Sequence, residues 1–173
     1  MDKQELMAMA IRLANENVEN GGGPFGAVIA KNGKVLATGV NRVTVNHDPT
    51  AHAEVSAIRT ACDKLGTFSL EGCEIYSSCE PCPMCLGAIY WAHLDRLYFA
   101  CTKKDAADAG FDDDFIYKEL DLKPADRRLN TTEMMRDEAM GIFDNWRKKT
   151  DKVEYSVDGD CAEKALSAAL RGL

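Results

Sequence analysis

The stretch CEIYSSCEPCPMCLGAIYWAHLDRLYFA, residues 73–100, predicts a strand, a helix and a second strand in succession. Residues 73–77 form a short apolar run of strand length. Pro81 and Pro83 then open a helix over about 83–92, and residues 96–100 return to a strand. A strand, helix, strand unit makes a crossover and brings its strands parallel, so a layered α/β domain is expected. Working towards the N-terminus, residues 51–65 keep helical spacing at Val55, Ile58, Ala61, Cys62 and Leu65. AVIAKNGKVLATGV, residues 27–40, reads as two strands about Asn32-Gly33, a pair that tolerates positive φ and signals a tight hairpin. Leu6, Ala10, Ile11, Ala14 and Val18 mark one face of an opening helix. Towards the C-terminus, helices are expected over 112–120 and 132–150, with a possible extra helix within 156–173.

The chain has 173 residues, 46% hydrophobic and 28% charged, which suits one globular domain. No apolar run reaches the length of a membrane span, and the N-terminus has no secretory pattern, so no membrane partner is expected. Seven cysteines are an odd number, which argues against a disulfide framework and for a reducing cytoplasm. The net charge of −7 argues against a nucleic-acid partner, because phosphate contacts need clustered Lys and Arg.

Chemistry concentrates between residues 50 and 85, which hold one of three His and close-set Cys79, Cys82 and Cys85. The three cysteines allow two overlapping C-x-x-C readings. An iron–sulfur cluster of the ferredoxin type would need a fourth Cys at 89, where Ile89 stands. Zinc with His52 as third ligand is the alternative. His52-Ala53-Glu54 with Pro81-Cys82-Pro83-Met84-Cys85 is the H-x-E and P-C-x-x-C signature of zinc deaminases, which selects Cys82 and Cys85 over Cys79. Three protein ligands leave a tetrahedral position open for water, and Glu54 at the same helix entry is placed to carry its proton. Each piece also has a plainer reading: His52 as a satisfied core histidine, Glu54 as a first-turn carboxylate, and the cysteines as half of a closed structural site.

The sequence resembles the cytidine deaminase-like superfamily, and within it the guanine deaminases. The matching stretches are GGPFGAV (22–28), HDPTAHAEV (47–55), SCEPCPMCLGAIYWA (78–92) and AGFDDDFIYKE (109–119). The resemblance implies a three-layer α/β/α sandwich with a mixed sheet and one zinc per subunit at helix N-termini. The implied reaction is hydrolysis of guanine to xanthine and ammonia in purine catabolism or salvage. It implies His52, Cys82 and Cys85 as zinc ligands, Glu54 as proton shuttle, and Asp113 as a second acid assisting at the amino group. Phe25 and Trp91 would line the base pocket. Asn41 would hydrogen-bond the purine, Ala53 would join the substrate contacts, and Tyr155 would close the pocket. Trp91 is also expected to restrict the room for a ribose. For Trp91, core packing is the plain alternative, and for Asp112-Asp113-Asp114 it is helix N-terminal charge.

Guanosine deaminase and transfer-RNA adenosine deaminase remain rival activities, and a zinc-dependent binding or scaffold protein is the non-enzymatic rival. The resemblance also implies a homodimer in which residues about 132–155 cross to the partner. Residues 1–155 would then be the catalytic domain, with 156–173 an extension of unknown role. Met134, Met135, Ala139, Ile142, Phe143 and Trp146 form an apolar stripe that fits either a crossing segment or one folded on its own core.

Overall fold

A computed structural model describes residues 1–157. The expected extra helix falls mostly outside these residues. The element order is α1 (Lys3–Glu19), β1 (Gly26–Lys31), β2 (Lys34–Val40), α2 (Val43–Asn46), α3 (Ala53–Leu65), β3 (Glu74–Cys79), α4 (Pro83–Trp91), β4 (Arg96–Cys101), α5 (Lys103–Asp108), α6 (Asp114–Leu120) and α7 (Arg136–Lys148). A 3-10 turn at Pro124–Asp126 precedes α7.

The four strands run in the order β2-β1-β3-β4. β1 is antiparallel to both β2 and β3, and β3 is parallel to β4 across α4, as the opening stretch predicts. The hairpin turns at Asn32 and Gly33, both at positive φ, which Gly33 adopts without steric cost. The central strand β1 is buried from Gly26 to Ala30, so both sheet faces are covered. α1 covers one face, where Leu6 and Ala10 meet Val28, Ala30 and Tyr76. α3 and α4 cover the other, where Ala53, Ala57, Ala61, Ile89 and Ala92 meet Ala27, Ile29, Ala37 and Ile75. This is the expected three-layer sandwich with a mixed sheet.

The alanine face of α3 matters for the site. It lets the helix approach β2 so closely that a Cβ at Gly39 would collide with the Ala53 carbonyl oxygen. The sheet thereby fixes where α3 begins, and His52 and Glu54 lie at that beginning.

Two periodicity readings need correction. In α1 the buried residues are Leu6, Ala10, Ala14 and Asn17, while Ile11 and Val18 are exposed. Asn17 is drawn inward by its bonds: Nδ2 donates to the Gly23 and Asn41 carbonyls, and Oδ1 accepts from Arg42. In α3 the buried face is Ala53, Glu54, Ala57 and Ala61, and Leu65 is exposed beside the helix-ending Gly66. α5 adds an unexpected helix, opened by a capping box between Thr102 and Asp105. The C-terminal helices are shorter than expected, at Asp114–Leu120 and Arg136–Lys148.

Candidate metal centre and active site

Two helix starts meet at the carboxyl end of β3. His52 is the N-cap of α3, and Cys82 is the N-cap of α4 with Pro83 at the first helical position. Pro suits that position because its missing N–H is unneeded there. Cys85 follows one turn later and is fully buried. His52 Nδ1 lies 3.5 Å from both Cys82 Sγ and Cys85 Sγ. All three ligand atoms lie within 4.8 Å of one another.

This spacing fits zinc. Bonds of about 2.3 Å to sulfur and about 2.0 Å to nitrogen in a tetrahedron place the N and S atoms about 3.5 Å apart. The protonation chemistry agrees. Hydrogen bonding from Cys85, and then from His52, holds the Cys82 thiol down at about 4. Bonding to Cys82, and then burial, pushes the Cys85 thiol up. His52 is raised chiefly by its bond to Cys82. Without a cation, three converging donors divide protons among themselves; a soft divalent ion replaces those protons.

Glu54 is buried, at 6% exposure, although it carries a carboxylate. Its Oε1 accepts from Ser77 Oγ at 3.2 Å, which ties α3 to β3. Burial raises its pKa above the ordinary carboxylate value. Glu54, His52 and Cys82 face one cavity of about 270 Å³ together with Phe25, Asn41 and Asp113. Thus five of the non-cysteine residues expected at the site, His52, Glu54, Phe25, Asn41 and Asp113, converge on one space.

Asn41 is buried and locally clamped. Its Oδ1 accepts from the Val43 N–H at 3.2 Å, and its backbone carbonyl accepts from Asn17. Asp113 occupies the N-cap position of α6 without a side-chain capping bond, and burial raises its pKa above the ordinary carboxylate value. Ala53 is fully buried between His52 and Glu54, and its side chain packs into the core.

Trp91 and Tyr155 stand elsewhere. Trp91 is 54% exposed and borders a separate apolar cavity with Val55, Ile58 and Phe68. Tyr155 packs against Trp91 and Phe68 of the same chain, with ring centroids 6.1 and 6.5 Å apart. His93 Nε2 contacts the Ser156 carbonyl at 2.6 Å beside them. The reason is helical geometry. Six residues past Cys85, the helix has turned so that Trp91 points about 120° away from that ligand. The single chain therefore does not place Trp91 where it would exclude a ribose.

Phe111, Asp112, Glu80 and Cys79 also line the active-site cavity, though the sequence reading gave them no role in it. Phe111 meets Phe25 edge-on, with centroids 5.0 Å apart. Glu80 accepts from the Lys103 N–H, and Tyr117 donates to the Pro81 carbonyl at 2.9 Å. These bonds fasten the segment carrying Phe111 and Asp113 to the cysteine loop. The glycine before Phe111, at φ 96°, was the local sign of a turn there.

Comparison with known proteins agrees with this geometry. Residues 1–101 match the cytidine and deoxycytidylate deaminase zinc-binding region. A guanine deaminase of Bacillus subtilis is 50% identical over 156 residues, covering 90% of this chain and all of that protein. The X-ray structure of the Bacillus subtilis guanine deaminase superposes with a TM-score of 0.88 over the same shares. A tRNA-specific adenosine deaminase of Aquifex aeolicus is 40% identical, over 60% of this chain and 69% of that protein. The chain belongs to the zinc-binding cytidine and deoxycytidylate deaminase family, as a homologue of guanine deaminase.

Proposed function

We propose that the chain hydrolyses guanine to xanthine and ammonia. The observation that carries this reading is the convergence of His52, Cys82, Cys85 and buried Glu54 on one cavity with Phe25, Asn41 and Asp113. The guanine deaminase match over nine tenths of the chain supports the choice of base.

His52, Cys82 and Cys85 would hold the zinc, which would supply Lewis-acid activation of water near neutral pH. Glu54 takes the proton that the water releases and passes it to a ring nitrogen of guanine. As the water oxygen bonds to C2, Glu54 takes up the remaining proton of that hydroxyl and delivers it to the amino group, so the C2–N bond breaks, the C2 carbonyl of xanthine forms and ammonia leaves. A raised pKa suits a carboxyl group that must both accept and return a proton. Ser77 orients this carboxyl group by donating to Oε1. Asp113 assists transfer at the amino group.

Phe25 presents an apolar wall to the flat base, and Phe111 supports it from the side. With Oδ1 engaged by Val43, Asn41 offers its NH₂ to an acceptor such as O6. The Ala53 backbone N–H, between ligand and shuttle, is a second donor to the base. The acidic chain, net −7, suits a small base better than a transfer RNA.

We further infer a homodimer in which residues about 132–155 cross to the partner and Tyr155 covers its cavity. The support is α7, which has no buried residue in the described chain. Ile142, Phe143 and Trp146 are 67%, 57% and 40% exposed, an apolar face that a second protomer would cover. Exchange would replace the contacts Tyr155 now makes with its own Phe68 and Trp91. Residues 1–155 act as the catalytic domain in this reading, with 156–173 appended. The odd cysteine count supports a cytoplasmic enzyme, and no helix of the described residues is long and apolar enough to cross a membrane.

Ammonia release from guanine, guanosine, adenine, cytosine and cytidine tests the proposal. Guanine should be consumed fastest. Equal use of guanosine, or activity on adenine or cytosine alone, overturns it.

A further inference from the structure

Cys79 and Cys101 are directly opposed in the parallel β3–β4 pair, each at the last residue of its strand. Neighbouring strands lie about 4.8 Å apart, within the Cα separation of about 4.4–6.8 Å that a disulfide spans. Directly opposed residues project from one sheet face, and both cysteines line one cavity of about 290 Å³ with Ile11, Phe25 and Phe111. Cys79 is buried and Cys101 is exposed. The metal-ligating set, His52, Cys82 and Cys85, uses neither sulfur. Cys79 nonetheless also borders the active-site cavity, so the thiol pair and the site share a wall.

We propose that Cys79 and Cys101 are a redox-active dithiol, closed to a disulfide by exchange with a small-molecule disulfide. Cys101, the exposed partner, attacks first as its thiolate. It bonds to one sulfur of the small disulfide, whose S–S bond breaks and expels a thiolate. Cys79 then gives up its proton and attacks the Cys101 sulfur, expelling the second small thiolate. Two protein thiols are oxidised, and one small disulfide is reduced to two thiols. The order follows from exposure. Burial, with Cys101 nearby, pushes the Cys79 thiol up to about 11, so Cys79 resolves and does not initiate. Closure also competes with the 3.5 Å contact between Cys79 Sγ and the Thr102 carbonyl. A dithiol reductant reverses both steps.

The test uses the zinc-loaded full-length protein and oxidised glutathione. After alkylation of the remaining thiols, tryptic digestion separates residues 65–96, which carry Cys79, from residues 97–103, which carry Cys101. The expected product is these two peptides joined, two hydrogens lighter than their sum and released by dithiothreitol, with zinc content unchanged. Cys101→Ala should abolish the joined product. Cys79→Ala should instead leave glutathione on Cys101. Three results overturn the proposal: a stable glutathione adduct on wild-type Cys101, an unreacted Cys101, or a joined product that persists in Cys79→Ala. Zinc content checks the folding of each variant, and the two variants report independently of one another.

Discussion

Ser77 Oγ donates to Glu54 Oε1 at 3.2 Å, joining the middle of β3 to the first turn of α3. The bond orients a buried carboxyl group without neutralising it. Glu54→Gln should therefore fold and keep its zinc, since Gln accepts the same bond. Turnover should fall by about 10²–10⁴-fold, the usual scale for losing a general acid–base. Steady-state ammonia release, with metal analysis of the same sample, checks this; near-normal turnover with zinc in place would remove Glu54 from the role.

Metal loss should discriminate among the three neighbouring cysteines. Cys82→Ser and His52→Ala should purify with little zinc, whereas Cys79→Ser should retain it. The ligand atoms of His52, Cys82 and Cys85 cluster, while Cys79 Sγ faces the Thr102 carbonyl. Zinc measured per chain decides, and a zinc-free Cys79→Ser protein contradicts the assignment.

The three consecutive aspartates should not be equivalent. Asp114 pairs with Lys118 at 2.6 Å on the surface, and Asp112 accepts from the Asp114 N–H at 3.0 Å. Asp112 and Asp113 both border the cavity, and of these two Asp113 is the partly buried one. Asp113→Asn should lower turnover by at least about tenfold, and Asp114→Asn should change it little. Greater sensitivity at Asp114 would refute the choice.

Gly39→Ala should destabilise the fold by about 1–3 kcal/mol, the cost of forcing a methyl group into a packed contact. The added Cβ meets the Ala53 carbonyl oxygen and lies 2.5 Å from Ala57 N. The strain falls where α3 begins, so zinc affinity should weaken as well. Thermal melting and zinc titration measure the two effects; an unchanged melting temperature would show that α3 yields freely.

Removing everything after Thr150 should abolish activity yet spare zinc, because Tyr155 is lost and the ligands are not. Mixed with Glu54→Gln chains, the truncated protein should regain some turnover, since in the proposed exchanged dimer the inactive chain would donate its tail. Mixed dimers that demonstrably form and remain inactive would exclude a lid supplied by the partner.

The layers and the hairpin were legible because they rest on local information, and the metal triad because it follows the H-x-E and P-C-x-x-C signature. Asn32-Gly33 encodes its own turn, and spacing alone brings Cys82 and Cys85 to one helix start. Long-range bonds hid the rest. Asn17 replaces Val18 on the buried face of α1 through partners at Gly23, Asn41 and Arg42, which no periodicity contains. Phe111 reaches the active site because Tyr117 and Glu80 fasten its segment to a loop some thirty residues earlier. The Thr102–Asp105 capping box is a local signal for α5 that the sequence reading does not use, which is why that helix was unexpected. The placement of Trp91 also follows from counting turns along α4.

Among the described residues, all four strands, both ligand-bearing helices and the three metal ligands precede residue 102. The sheet of the described residues and the ligand set are therefore encoded as one continuous block, with α5, α6 and α7 following it in chain order. The cavity is thus walled by two successive parts of the chain, an earlier block that carries the sheet and the ligands and a later one that brings Phe111 and Asp113.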